Sequence, residues 1–150
     1  MSNPDQPRTL SQRDKRSLIF HVLYAYNSAQ GTSSLESVVK GVTQGFDVSV
    51  ELDDEVMKTI RSIIETEEQL DTQLEPFLDN WRLDRLGTCT LLIMRFALWE
   101  LLNSETPTTI VLNEAIELAK CFTEQDAYKF INGVLDRASR SIRKDEVSPE

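Results

Sequence analysis

Residues 91–102 read Leu91-Leu92-Ile93-Met94-Arg95-Phe96-Ala97-Leu98-Trp99-Glu100-Leu101-Leu102, and the fold follows from this run. It is shorter than the roughly 20 apolar residues a bilayer span needs, and Arg95 and Glu100 interrupt it. With the residues before it, a helical stripe emerges: Leu83, Leu86, Thr90, Met94, Ala97 and Leu101, widened by Leu91 and Leu98. The spacing predicts a core helix from Asp84 to Asn103.

The same period extends in both directions. Downstream, Pro107 ends a turn, and Ile110 to Phe122 reads as a further helix. Thr123-Glu124-Gln125-Asp126 fits a capping box, in which a Ser or Thr side chain and an acid three residues on satisfy amides at a helix start. The last helix then turns Ala127, Phe130, Ile131, Val134, Leu135, Ala138 and Ile142 inward.

Upstream, Ser11 and Asp14 form another capping box, opening a helix from Gln12 to Ser28 with Leu18, Ile19, Val22, Leu23 and Tyr26 at helical spacing. Gln30-Gly31-Thr32-Ser33 is a break. A weaker helix over Leu35–Val42 and a Gly45-containing loop follow. Asp53–Glu67 is helical on Val56, Ile60, Ile63 and Ile64. Glu68–Leu78 continues after a kink on Leu70, Leu74, Phe77 and Leu78. No segment alternates with period two. The expected architecture is all-α, a bundle of about seven helices in one domain over residues 11–144, with a disordered leader (1–10) and a short tail (145–150).

Length and composition agree, since 150 residues with 40% hydrophobic and 27% charged content suit one soluble domain. Met1 to Pro7 is polar and lacks an apolar core, so a secretory signal is not expected there. Cys89 and Cys121 make no C-x-x-C pair and read as buried free thiols, which suits a cytoplasmic protein. The net charge of −9 is unevenly spread. Eleven acids and two bases lie between Asp47 and Asp79, so the remainder is neutral. Within it, Arg8, Arg13, Lys15 and Arg16 cluster near one end, and Lys129, Arg137, Arg140, Arg143 and Lys144 near the other. A basic face built from both termini would attract a polyanion; the alternative is that these charges merely solubilise two helices.

A catalytic reading fails on inventory. His21 is the only histidine and reads as a surface or half-buried helix residue. There is no phosphate loop, zinc spacing or nucleophile elbow. Glu114 and Glu117 lack the Glu-x-x-His partner of a bundle metal site, and Glu117 near Lys120 reads as an exposed face. No cofactor is expected. Asn132-Gly133 stands out, because a glycine inside a helix costs about 1 kcal/mol relative to alanine. Either a neighbouring helix packs against the missing side chain, or a ligand approaches the backbone.

Three runs carry a resemblance. Arg95-Phe96-Ala97-Leu98-Trp99-Glu100-Leu101-Leu102, Asn113-Glu114-Ala115-Ile116-Glu117-Leu118-Ala119-Lys120 and Lys129-Phe130-Ile131-Asn132-Gly133-Val134-Leu135-Asp136 resemble the NusB antitermination factors in order and spacing. Trp81-x-Leu83-x-Arg85-Leu86 and Leu23-Tyr24 look like further segments of that family. The resemblance implies two packed helical subdomains. It also implies a complex with the ribosomal protein NusE that binds boxA-type single-stranded RNA and joins the RNA polymerase antitermination complex. Positions matching the family's RNA contacts are Arg13, Lys15, Arg16 and Tyr24 on the first helix, and Asp126, Lys129, Phe130 and Asn132 near the last. Asp14 dilutes the basic motif, and Thr88-Cys89-Thr90 replaces an acidic-basic pattern used against NusE. Some RNA cytosine methyltransferases resemble the family in their N-terminal region, but would need a further α/β domain. The other alternative is an interaction module that homodimerises or acts as a scaffold without binding RNA.

Overall fold

A computed structural model describes residues 10–46, 48 and 54–144. The expected leader (apart from Leu10), the tail, Arg8, Asp47 and Asp53 lie outside the described residues. Seven α-helices account for most of the rest: α1 (Gln12–Ala29), α2 (Leu35–Phe46), α3 (Glu55–Glu65), α4 (Glu67–Leu74), α5 (Thr88–Asn103), α6 (Thr108–Phe122) and α7 (Ala127–Ile142). No strand occurs among the described residues. The chain divides into two compact units, Met1–Ile64 and Glu65–Glu150.

In the first unit, the Ser11 side chain accepts the Asp14 amide at 3.0 Å, so the cap expected from the sequence starts α1. Leu18, Ile19, Phe20, Val22 and Leu23 are buried. The chain leaves α1 through Gln30 and Gly31 at φ 48° and 81°, the left-handed region that glycine adopts without strain. Ser34 then caps α2 by accepting the Ser37 amide. α2 runs past the expected end at Val42, so Gly45 is helical and not in a loop. Asp54 opens α3 by accepting the Val56 amide at 2.9 Å. Val56, Met57, Ile60 and Ile63 are buried. Arg61 of α3 pairs with Glu36 of α2 at 2.8 Å.

In the second unit α5 packs against α4, α6 and α7. It starts at Thr88 and not at Asp84, because Leu86 and Gly87 are extended (ψ 146° and 149°) and Leu83–Arg85 is a lone 3-10 turn. Leu83 and Leu86 therefore precede the helix they were expected to extend. From Leu92 to Leu98 every residue is buried, so the helix is enclosed all round and not along one stripe. That encloses a charge. Arg95 donates to both carboxylate oxygens of Asp71 on α4, at 2.6 and 2.7 Å, and Glu67 lies 3.6 Å away. Burial alone would lower the Arg95 pKa, but the hydrogen bond and charge of Asp71, with the charge of Glu67, leave it raised.

Arg143, expected in a basic surface cluster, performs a structural task. Its guanidinium donates to the carbonyls of Glu100, Leu101, Ser104 and Thr106 and to the Thr108 hydroxyl, at 2.5–3.2 Å. Helix ends leave their last carbonyls without intrahelical partners, and Arg143 supplies donors for those of α5 and for the turn into α6. Arg137 likewise ties α7 to the Phe77 carbonyl at 2.6 Å and to Asp79 at 3.2 Å.

Both cysteines are free, but neither is buried: Cys89 is half-buried and Cys121 exposed. Burial still raises the Cys89 thiol pKa. The thiolate is the reactive form. Iodoacetamide at pH 8 should therefore alkylate Cys121 well before Cys89, with the difference vanishing in urea; the reverse order by mass spectrometry would contradict this packing. Asp71→Ala should lower unfolding free energy by about 3 kcal/mol in urea titration, because it strips the main partner from a buried cation. A loss below about 1 kcal/mol would mean that Glu67 or water replaces it.

Candidate nucleic-acid interface

The start of α7 differs from the sequence expectation. Thr123 closes α6, donating its hydroxyl to the Ala119 carbonyl at 2.5 Å. It is not the cap of α7, so the second capping box does not form. Asp126 occupies the cap position with φ 72°, and its side chain makes no capping bond. Aspartate tolerates the left-handed region better than most residues, and this conformation takes the carboxylate away from the amides it was expected to satisfy. Its Oδ1 lies 3.5 Å from Lys129 Nζ, with both side chains about two-thirds exposed. Of the two roles expected for Asp126, the surface position is the one observed.

Lys129 and Asn132 follow on one exposed face of α7, three residues apart. Asn132 is at the surface, which removes the reading in which its amide is spent inside the core. Gly133 loses its packing explanation as well. A Cβ placed there would meet only Arg137 Nη1, at 3.8 Å, so no neighbouring helix occupies the space. Phe130 is half-buried, its ring 5.9 Å from that of Trp81 and tilted by 59°.

Beside this face an open groove of about 430 Å³ runs between α6 and α7, lined by Asn113, Ile116, Glu117, Lys120, Tyr128, Lys129 and Asn132. Lys120 Nζ stands 5.2 Å from the centroid of the Tyr128 ring, within cation–π range. Tyr128, Asn113 and Trp81 were not singled out as site residues from the sequence. Asn113, Glu117 and Lys120 do fall at i, i+4 and i+7 of α6, a spacing that places them on one polar face.

On α1, Arg13 is exposed, Lys15 half-exposed and Arg16 buried, so the basic run does not present three equivalent charges. Tyr24 is 44% exposed and stacks on Phe20 with ring centroids 6.4 Å apart. His21 is a half-buried helix residue, as expected, with Nδ1 donating to the Ser17 carbonyl at 2.7 Å and its ring edge-on to Phe20 and Phe46. Near the other end, Arg140 pairs with Asp136 at 3.3 Å, and Arg137 and Arg143 are engaged as described. Of the terminal basic cluster, Lys129, Arg140 and Lys144 remain exposed, and Lys129 is the one that lines the groove.

Comparison with known proteins identifies the family. The NusB family pattern matches residues 13–140. A transcription antitermination protein NusB of Staphylococcus aureus is 32% identical over 132 residues, covering 87% of this chain and all of that protein. One of Chloroherpeton thalassium is 32% identical over 136 residues, but the match spans 64% of its greater length. Among solved structures, T. maritima NusB superposes with a TM-score of 0.78 at 26% identity, covering 89% of this chain and 93% of that one. The fold also matches a chain from a complex of antitermination factors NusB and NusE with double-stranded RNA, at a TM-score of 0.69 and 22% identity, covering 88% and 99%. No helix among the described residues is long and apolar enough to cross a membrane. The chain belongs to the NusB family.

Proposed function

We propose that the protein is an RNA-binding transcription antitermination factor, which binds boxA-type RNA of ribosomal RNA operons together with NusE and helps RNA polymerase resist termination. Such a role belongs in the cytoplasm and requires no covalent chemistry. The observation that carries the reading is the exposed start of α7, where Asp126, Lys129 and Asn132 face solvent beside a glycine that no packing explains.

Each group has a task that its chemistry suits. Lys129 and, on α1, Arg13 and Lys15 hold phosphates; Arg16, being buried, adds little to that contact. Asn132 carries paired donor and acceptor groups able to read a base edge. Asp126 holds Lys129 until RNA arrives, and can accept from a base amine or a ribose hydroxyl. Phe130 and Tyr24 offer ring faces to unstacked bases. With only about three phosphates neutralised, affinity for RNA alone is modest and falls with salt. NusE on a neighbouring surface extends the contact and tightens the complex. A titration of boxA-type RNA with and without NusE tests the proposal: binding that NusE strengthens supports it, and no binding in either case sinks it.

Two substitutions separate recognition from stability. Asn132→Ala should leave the melting temperature nearly intact while weakening RNA binding by about 1–3 kcal/mol, the usual range for a base contact. Early melting with normal binding by the folded fraction would contradict the assignment. Gly133→Ala should stabilise α7 by up to about 1 kcal/mol, since space for a methyl exists. It should also weaken RNA binding, because the methyl occupies the approach to the backbone. Unchanged affinity in a more stable variant would show that RNA stays clear of this glycine.

A further inference from the structure

Trp81 is the most solvent-exposed of the large hydrophobic side chains at the described surface, at 59%. A mobile loop residue could be left exposed at little cost, but Trp81 is held. Its amide donates to the Leu78 carbonyl at 3.0 Å, and Leu78 is buried. Arg137 of α7 grips the same turn through the Phe77 carbonyl and Asp79. The indole rests against Phe130 on one side, tilted by 59°, and most of its surface faces water. A rigid, anchored, exposed indole is suited to flat π-systems, whose stacking needs area and little sequence specificity.

The neighbours select the kind of π-system. Phe130 directly follows Lys129, whose ammonium is exposed, and Asn132 and the open backbone at Gly133 lie within the next turn of α7. Arg82 adds a second exposed cation next to Trp81, although it is shared with Asp84 at 2.7 Å. A ring with cations and an amide on its flank suits a base attached to a phosphate backbone better than an apolar peptide side chain. We infer that Trp81 and Phe130 form a stacking platform for one unpaired RNA base, with Lys129 holding an adjoining phosphate. The inference rests on the RNA-binding reading above and adds a contact residue to it.

Trp81 and Trp99 are the only tryptophans. In a Trp99→Phe background, indole emission therefore reports Trp81 alone. Adding single-stranded boxA-type RNA should quench that emission. In the otherwise native chain, Trp81→Ala should weaken RNA binding by about 5- to 150-fold, the range of a lost base stack. Trp81→Phe should retain most of the affinity, and both variants should melt like the parent. If the parent binds RNA and Trp81→Ala binds equally well, the platform is wrong and the RNA-binding reading stands. If Trp81→Ala loses affinity for NusE in the absence of RNA but keeps its RNA affinity, the indole belongs to a protein contact and the inference is overturned. If the parent binds no RNA, with or without NusE, both fall together.

Discussion

A buried guanidinium governs the larger unit. Arg95 sits in the middle of a helix enclosed on all sides, where an unpaired cation would cost several kcal/mol. Asp71 meets it with two parallel hydrogen bonds, the geometry in which arginine and carboxylate bind most strongly. Apolar contacts alone would let α4 slide along α5, but a bidentate pair of this kind has one register. Once α4 is fixed, the turn that follows it is fixed too. Arg137 reaches that turn from α7, so the pair also bears on where Trp81 and Phe130 stand.

Arginine plays this joining role repeatedly, and that changes the meaning of the charge pattern. Arg137 and Arg143 looked like parts of a basic patch and turn out to bind backbone carbonyls. The planar fork of five donors suits that task, because carbonyls at a helix end converge from several directions. What α7 offers a polyanion is Arg140 near its end and, at its start, a lysine beside an aspartate, flanked by an amide and two rings. The net charge of −9 is carried by the stretch from Asp47 to Asp79, and at the end of it that reaches this spot Asp79 is paired with Arg137.

Much of this was legible in the sequence because it depends on local rules. Helical periodicity located the buried residues Leu18, Val22, Ile60, Met94, Ile131, Val134 and Leu135, and Ser11 was readable as a cap. Elsewhere the local rule competed with geometry that no pattern encodes. Thr123-x-x-Asp126 has the composition of a capping box, but the left-handed turn at Asp126 breaks it and gives Thr123 to the preceding helix. Leu83 and Leu86 kept helical spacing across a 3-10 turn and an extended pair, and so mimicked one more turn of α5. The cysteines are apolar in composition but lie at the rim of α5 and on the outside of α6, which spacing alone could not reveal. Within the candidate site, Asn132 and Gly133 were legible as oddities of an otherwise regular helix, and Lys129 through the basic cluster and the family resemblance. Trp81 was not, since it lies in a turn whose course is set by contacts distant in sequence.

If the exposed start of α7 recognises RNA, then RNA must perturb that surface before any other. An amide NMR titration with single-stranded boxA-type RNA in the presence of NusE tests it most directly, with the protein–NusE complex as the reference state. RNA-induced shifts should be concentrated at residues 126–133 and around Trp81, joined by Arg13, Lys15 and Tyr24, with the interior of α5 undisturbed. Shifts confined to other surfaces, or no change on adding RNA, would contradict it.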